Sequence, residues 1–403
     1  MLTERIQGVN TASNQWINNL ILILLAVSIL VSDWMVGLIA MSEIFIGLIL
    51  VLIAFKNFDY VKSLNYKFMS AVLIFFIIQF TYNLSVDMTF IFTRALYNVI
   101  KIFFYLTFIN LLFNYIQQNK LEKQVLVMLN VTAIIALIIG IYITVSILFF
   151  DQLPYEFMWH FTRSDLHSYR FRGPGFIVRT RSIFSEPAHL GYFLNMVIGV
   201  NIFSKLKKSV PIWVTLTLIA GVILTLSYAS IGVLGLMLLI KGLTLKNKME
   251  MVRNNWILLL VSLLFVGIVI FIFRENLYQT IIVRTSDILS GGDNSAFVRV
   301  INSWLYVTRE TVLMGRGLGH TPPLQNIYAY FLSDMGIFSF LFSLIFTAFI
   351  VKNNVGLGLT FILLNFQKGG YLSPIFPILV LIFLTYSLNF KTKLSFKNRK
   401  EQI

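Results

Sequence analysis

The chain of 403 residues contains no cysteine. Disulfide bonds, thiolate metal sites and cysteine nucleophiles are therefore excluded. Charge is also scarce, because Asp, Glu, Lys and Arg make up only 12% of the residues, whereas a soluble domain carries roughly 25%. The first apolar run lacks a small-residue cleavage site, so we expect it to be a retained span and not a signal peptide.

Apolar residues are abundant instead, with a hydrophobic fraction of 58% and a mean hydropathy of +0.82. Apolar runs recur at about 17–25 residues, the length that lets a helix cross about 30 Å of hydrocarbon. The pattern predicts an all-α integral membrane protein, a single polytopic domain over residues 1–403, with about twelve transmembrane helices. The predicted spans cover residues 16–32, 34–55, 68–84, 95–116, 125–150, 187–204, 211–228, 230–245, 256–273, 326–350, 355–367 and 374–390.

Lysine predicts the orientation. Sixteen of the 18 lysines fall in the C-terminal tail or in loops on one side of the predicted spans. The positive-inside rule makes that side cytoplasmic and places both termini there. This distribution also accounts for the net charge of +15, and we expect no nucleic-acid partner because no basic face lies outside the membrane loops.

Arginine has the opposite distribution. The two longest hydrophilic stretches, about 151–186 and 274–325, are predicted external loops, and they hold ten of the 14 arginines and no lysine. All four histidines lie on the same side: His160, His167, His189 and His320. Each loop has five arginines against four acids, so pairing within the loops explains only part of the pattern. Because guanidinium groups bind phosphate bidentately, we favour an anion-binding outer face.

The second loop runs into the segment FVRVINSWLYVTRETVLMGRGLGHTPPLQNIYAYFLSDMG, residues 297–336. Polar residues recur in it at helical spacing and predict an amphipathic helix along the membrane interface: Arg299, Ser303, Tyr306 and Glu310. Gly315, Gly317 and Gly319 then predict a tight turn close to a ligand. A dinucleotide site is disfavoured, because no strand precedes these glycines.

In these residues the chain resembles the superfamily of O-antigen polymerases (Wzy-type) and O-antigen ligases (WaaL-type). In that family an arginine opens an external amphipathic helix, and a G-x-G turn and a polar helix start follow. Arg299 matches the arginine, Gly315-Arg316-Gly317 the turn, and Asn326 with Tyr328 the helix start. The earlier stretch RTRSIFSEPAHLGYF, residues 179–193, resembles the end of the family's other external loop through Arg179 and Arg181.

The resemblance implies a substrate in which an oligosaccharide is linked through pyrophosphate to a polyprenol lipid. Its expected substrate-binding residues are Arg179, Arg181, Arg299, Arg316, Gln325, Asn326 and Tyr328. Gln325 stands where many family members have a histidine, and glutamine cannot act as a base. The catalytic candidates are therefore His320, His189 and Glu186. For Glu186 a structural role is an equal alternative, because Pro187 can open the next helix with Glu186 just outside it.

The implied activity is metal-independent glycosyl transfer that polymerises lipid-linked repeat units of O-antigen, capsule or exopolysaccharide. We expect it on the outer face of the bacterial inner membrane, with no cofactor. The expected partners are the lipid-linked donor and acceptor, together with a chain-length regulator and a flippase of the same pathway. A ligase of the same superfamily, a lipid-linked glycan flippase and a scaffold subunit of a glycan-assembly complex are the alternatives.

Three further features lead to expectations within or beside the spans. Glu43 is expected near the middle of the second span and Lys101 about two turns into the fourth, either as a mutual pair or lining a groove. Asp33 is expected at the boundary between two spans. The region of Ser227 to Ile231 is expected to be a tight turn or an interruption.

Overall fold

The computed structural model describes residues 2–56, 58–62, 64–149, 153–162, 178–206, 210–244, 301–309 and 311–388, and five isolated positions between 264 and 278. Over these ranges nearly all regular structure is helical. The helices before the first long loop are α1 (Leu2–Leu30), α2 (Met41–Lys56), α3 (Asp59–Lys62), α4 (Tyr66–Val86), α5 (Phe92–Gln118) and α6 (Glu122–Phe149). The loop carries a 3₁₀ helix, Glu156–Trp159.

The second half of the chain continues the bundle. Its described helices are α7 (Pro187–Phe203), α8 (Ile212–Leu224), α9 (Tyr228–Thr244), α10 (Ser303–Leu305), α11 (Ile327–Asn353), α12 (Val355–Gln367) and α13 (Ile375–Ser387). A turn at residues 225–227 separates α8 from α9, with Leu226 at a φ of 45°. The expected interruption is therefore confirmed, but it lies at residues 225–227, and Tyr228 to Ile231 already belong to α9. The predicted span 256–273 lies almost entirely outside the described residues.

Four of the described helices are long and apolar enough to cross a membrane: α4, α5, α6 and α11. The other apolar helices are shorter, and α8, α12 and α13 have 13 residues each. Thirteen residues rise about 20 Å, less than the roughly 30 Å of a hydrocarbon core. An all-α membrane-embedded class is confirmed in this coarse form, whereas the count of about twelve spans stays a prediction.

The second predicted span is wrong at its start. Strand β1 (Met35–Val36) pairs antiparallel with β2 (Ile39–Ala40) in a short hairpin before α2 begins. Gly37 turns this hairpin at a φ of 62°, and Met35 N–H donates to the Phe161 carbonyl at 2.8 Å. Hydropathy could not separate these residues from the helix, because the hairpin is itself apolar. Glu43 consequently lies in the first turn of α2, not in mid-span.

Helix α7 is the centre of the bundle, since 13 of its 17 residues are buried. Two glycines allow its neighbours to approach closely. A Cβ on Gly191 would overlap Ser230 of α9, and a Cβ on Gly199 would overlap Thr360 of α12. The start of α7, where the stretch 179–193 enters the bundle, is therefore fixed by close packing.

The described parts of the loops that the lysine pattern assigns to the outer side meet at one end of the bundle, here called the loop end. Trp34 Nε1 donates to Ile183 O at 3.0 Å, and Tyr97 OH donates to Leu38 O at 3.2 Å. The opposite end joins Asn18, Lys56 and Tyr115, because Lys56 Nζ donates to Asn18 Oδ1 at 2.9 Å and to Tyr115 OH at 2.7 Å. The cytoplasmic assignment of that opposite end stays a prediction.

Candidate functional site

A buried polar cluster lies at the loop end, and we call Asp33, Ser185, His189 and Lys368 the Asp33 cluster. The Asp33 Oδ2 atom accepts from Ser185 N–H at 3.1 Å and from the Ser185 hydroxyl at 2.9 Å. His189 Nδ1 lies 2.6 Å from the same oxygen. Lys368 Nζ lies 3.3 Å from Oδ1. Since these residues follow α1, open α7 and follow α12, the cluster ties three helices together.

The surroundings decide where the protons of the cluster reside. Burial raises the pKa of Asp33. The charges of His189 and Lys368 and the hydrogen bonds from His189 and Ser185 lower it by more than burial raises it, so the pKa is held well below its ordinary value. An ionised carboxylate can only accept, and we therefore assign the proton in the 2.6 Å contact to Nδ1 of His189. Among the described residues none bonds Nε2, and the His189 side chain is 23% exposed.

Asp33 and Lys368 were not among the sequence candidates for the site. Asp33 was expected only as a boundary residue, and it does lie in the turn after α1. The sequence does set Lys368 apart, because Lys101 and Lys368 are the two lysines that lie outside the predicted cytoplasmic loops and tail. Lys101 also pairs with an acid, since its Nζ lies 2.6 Å from Glu43 Oε1. The mutual pair is therefore the correct alternative for Glu43 and Lys101.

The two arginines of the stretch 179–193 differ in their surroundings. Arg181 is 1% exposed, its guanidinium lies 3.8 Å from the centre of the Trp159 ring, and its Nη2 donates to Thr162 Oγ1 at 3.2 Å. Arg179 is half-buried and its Nε donates to the Thr225 carbonyl at 3.5 Å. Arg181 is thus held by the protein as a packing element, whereas Arg179 lies closer to the surface of the loop end.

His320 has both ring nitrogens engaged. Ile91 N–H donates to its Nε2 at 2.8 Å, and Nδ1 lies 3.2 Å from the Leu318 carbonyl. The ring stacks on Phe90 with centroids 4.8 Å apart. Nε2 accepts and Nδ1 donates in this arrangement, so no ring nitrogen is left to take a proton from a substrate. The geometry favours His189 over His320 as a base.

The loop with the three glycines packs on the protein itself. Asp334 of α11, which is fully buried, accepts from Gly319 N–H at 2.9 Å, from Thr321 N–H at 2.8 Å and from Tyr371 OH at 2.7 Å. A Cβ on Gly315 would overlap the Asp334 backbone. The expected glycine turn is present, and Gly317 and Gly319 likewise approach the protein closely, at Phe90 and Asn98. Helix α11 is itself interrupted at Gly336, where φ is 75°.

Asn326 and Tyr328 hold the start of α11. Asn326 is the N-cap residue, and its Oδ1 accepts from Tyr328 N–H at 2.9 Å and from Ala329 N–H at 3.4 Å. Tyr328 OH lies 3.0 Å from Thr347 Oγ1 and 3.5 Å from Asn365 Nδ2. Gln325 is half-buried beside them. The resemblance predicts a polar helix start at this place. In the structure Asn326 caps the helix and Tyr328 packs within the bundle.

The remaining sequence candidates are placed as follows. Glu186 is exposed and precedes Pro187, the first residue of α7, without a side-chain capping bond. This is the arrangement expected for its structural alternative. Arg316 is half-buried in the glycine loop, and its backbone N–H donates to Ser333 O at 2.8 Å. Arg299 and Glu310 lie outside the described residues. In the described part of the predicted amphipathic helix, the chain is helical only as far as Leu305, and Tyr306 follows α10 as its C-cap.

An apolar cavity of about 470 Å³ opens between α4, α5, α11, α12 and α13. Its wall is mainly aromatic and includes Phe75, Phe76, Phe331, Phe338, Phe342 and Phe346. Ile327, Tyr328 and Tyr371 bring the cavity to the loop end. One segment connects it with the Asp33 cluster, because residues 365 and 371 line the cavity while Lys368 pairs with Asp33.

The part of the chain that the structure describes contains no group of three or more His, Asp or Glu side chains placed to hold a metal ion. Metal independence stays a prediction, because much of both long loops lies outside that part. No protein-family model, no curated protein and no solved structure matches this chain.

Proposed function

We propose that the protein is a membrane glycosyltransferase that polymerises polyprenyl-pyrophosphate-linked oligosaccharide repeat units. The observation that carries the proposal is the aromatic cavity, whose wall at Tyr371 is joined by a short stretch of chain to Lys368 of the Asp33 cluster. A lipid-linked glycan needs an apolar groove for its chain and, at the groove's end, cations for its pyrophosphate and a base for the acceptor hydroxyl. The segment 365–371 links the apolar groove to the residues around the proposed base, because its two ends line the cavity and its Lys368 pairs with Asp33 of the Asp33 cluster.

The cavity suits a flexible apolar chain, such as a polyprenyl tail, more than a polar solute. Its volume of about 470 Å³ lies within the roughly 300–1,000 Å³ of ligand pockets. Phenyl rings from α4 and α11 form part of its wall, including a stacked pair, Phe68 and Phe342, with centroids 5.8 Å apart. Its few polar side chains include Tyr328 and Thr347, which hydrogen-bond each other. An apolar occupant therefore leaves this pair hydrogen-bonded.

The cations of the loop end supply the electrostatic part of the reaction. Arg179 and Arg316 are half-buried there, where a guanidinium can bind two phosphate oxygens at once. In the proposed reaction they hold the pyrophosphate and stabilise the charge that develops on it as the glycosidic bond to the lipid breaks. Arg299, expected to act with them from the sequence resemblance, belongs to the same proposed binding set.

Transport of a lipid-linked glycan is the second candidate, and one observation favours it. Helix α11 is broken at Gly336, and interrupted helices are typical of transporters. The break has a local cause, however, because the Ile337 N–H donates to Val312 O at 2.7 Å and Gly336 packs against Leu313. The interruption docks the glycine loop onto α11, and a glycosyltransferase can use it equally well.

The test is to delete the gene in its source organism and examine the lipid-linked oligosaccharides that accumulate. We expect single repeat units that a membrane-impermeant glycosidase can reach from outside. Single repeats protected from the enzyme would instead identify transport, and long lipid-linked chains would identify a ligase. Re-expression of the wild-type chain controls for effects of the deletion on neighbouring genes.

A further inference from the structure

We propose that Asp33 and Lys368 are positioning residues that present Nε2 of His189 as the proton acceptor of the transfer reaction. The inference rests on the proposed function for the identity of the reaction. The contacts of Asp33 and His189 carry it, and neither the sequence motifs nor the resemblance assigns Asp33 or Lys368 a role.

The first step is orientation. His189 Nδ1 is 2.6 Å from Asp33 Oδ2 and 2.7 Å from Ser185 Oγ. The Ser185 hydroxyl donates to the same Asp33 oxygen, so the serine, the carboxylate and the ring form a closed triangle. The ring is therefore held by Nδ1, and Nε2 makes no hydrogen bond to any residue that the structure describes. A carboxylate that orients an imidazole in this way is the arrangement used to hold a histidine base in one tautomer.

The second step is the role of Lys368. Its Nζ lies 3.3 Å from Asp33 Oδ1, the oxygen that His189 does not contact. A cation there keeps Asp33 ionised, so the carboxylate accepts a hydrogen bond from Nδ1–H while the proton stays on the imidazole. Lys368 also lies over the Tyr192 ring, 5.9 Å from its centre. It is thereby fixed to α7, the helix that carries His189.

The third step is the proton balance. The acceptor hydroxyl gives its proton to Nε2 of His189 while its oxygen bonds the anomeric carbon of the donor. The bond from that carbon to the phosphate oxygen breaks, and its electron pair leaves with the polyprenyl pyrophosphate. The imidazolium then releases its proton to water. No oxidant and no reactant beyond the donor and the acceptor are needed.

The first experiment reads the tautomer and does not depend on activity. The chain has only four histidines, so histidine labelled with ¹⁵N gives a short spectrum, and His189→Gln identifies the signal of interest. In the wild-type protein in detergent we expect neutral His189 to carry its proton on Nδ1. Asp33→Ala should move it toward the Nε2–H tautomer that predominates in free histidine. A wild-type His189 with its proton on Nε2 would overturn the inference.

The second experiment measures polymerisation by the same proteins in liposomes. We expect Asp33→Asn and His189→Gln to lower kcat on the order of 100-fold, the usual contribution of a general base, with little change in KM. His189→Gln with wild-type kcat would refute the base assignment even if the tautomer is as expected. Failure of the wild-type protein to polymerise, by contrast, would refute the proposed function, and the tautomer result would then stand alone as a structural finding.

Discussion

Asp33 and His189 are 156 positions apart in the chain, yet their side chains lie 2.6 Å from each other at the loop end. This contact joins the first helix to the central helix α7. With Lys368 it brings three distant segments to one point. Stability, proton transfer and substrate access should therefore depend on a small number of identifiable residues.

Asp33→Asn should destabilise the protein at neutral pH, by about 3 kcal/mol, because it removes the buried carboxylate charge that pairs with Lys368 and His189. The folded-state pKa of Asp33 is held below its ordinary value by His189 and Lys368, whose effect outweighs burial. Its contribution is thus fully present above the ordinary pKa of about 3.9 and is lost only as pH falls through the lowered folded-state pKa. Thermal midpoints of both proteins in detergent should differ as much at pH 5 as at pH 7. A gap that closes between these values would contradict the ionised state.

Ser339→Trp should block the cavity, because Ser339 lines it on α11 and an indole would occupy the space of the lipid chain. We expect KM for the lipid-linked substrate to rise at least tenfold, about 1.4 kcal/mol of lost binding. Ile345→Trp is the matched control, since Ile345 lies on the same helix but is 68% exposed. An equal effect of the two substitutions would show that the cavity is not the lipid site.

Arg179 and Arg181 should respond differently to replacement by lysine. Arg179→Lys should lower kcat/KM about tenfold or more, because an ammonium cannot make a bidentate contact with phosphate. Arg181→Lys should mainly lower stability, by about 1–2 kcal/mol, because the stacking on Trp159 is lost. Assays of rate and thermal midpoint on both variants separate the two roles. Loss of stability in Arg179→Lys with an unchanged rate would remove Arg179 from the binding site.

Gly336→Ala should disrupt the docking of the glycine loop. The residue has a φ of 75°, and a Cβ would overlap the Leu313 carbonyl, so we expect a loss of at least about 1–2 kcal/mol from the backbone conformation alone. Gly232→Ala in α9 is the control, since nothing lies within 4 Å of its Cβ position and alanine favours a helix. Thermal midpoints that fall equally in both variants would argue against this role of Gly336.

Hydropathy and helix signals predicted the described helices well where apolar runs end in polar residues. Pro187 opens α7 as expected, and the predicted span 355–367 has the limits of α12. The hairpin at residues 35–40 was missed because it is as apolar as the helices beside it. The pairing of Asp33 with His189 and Lys368 could not be predicted, because it depends on how α1, α7 and α12 pack together.

For the candidate site, sequence reasoning singled out the loops before α7 and α11, but it could not predict the contacts that their side chains make. His320, Asn326 and Arg181 were candidates for chemistry or binding by residue type alone. The structure engages each of them in contacts with the protein: a hydrogen-bonded stacked ring, a helix cap and a stack on Trp159. Residue type and spacing show what a side chain can do, whereas only its neighbours show whether it is already occupied.

The most direct test of the account is reconstitution of the purified protein in liposomes with a polyprenyl-pyrophosphate-linked oligosaccharide of the source organism. The products are separated by chain length, and the released polyprenyl pyrophosphate is counted. We predict a ladder of multiples of the repeat unit, with one polyprenyl pyrophosphate released for each glycosidic bond formed. Recovery of the intact single-repeat substrate, whether or not it has crossed the bilayer, would contradict polymerisation.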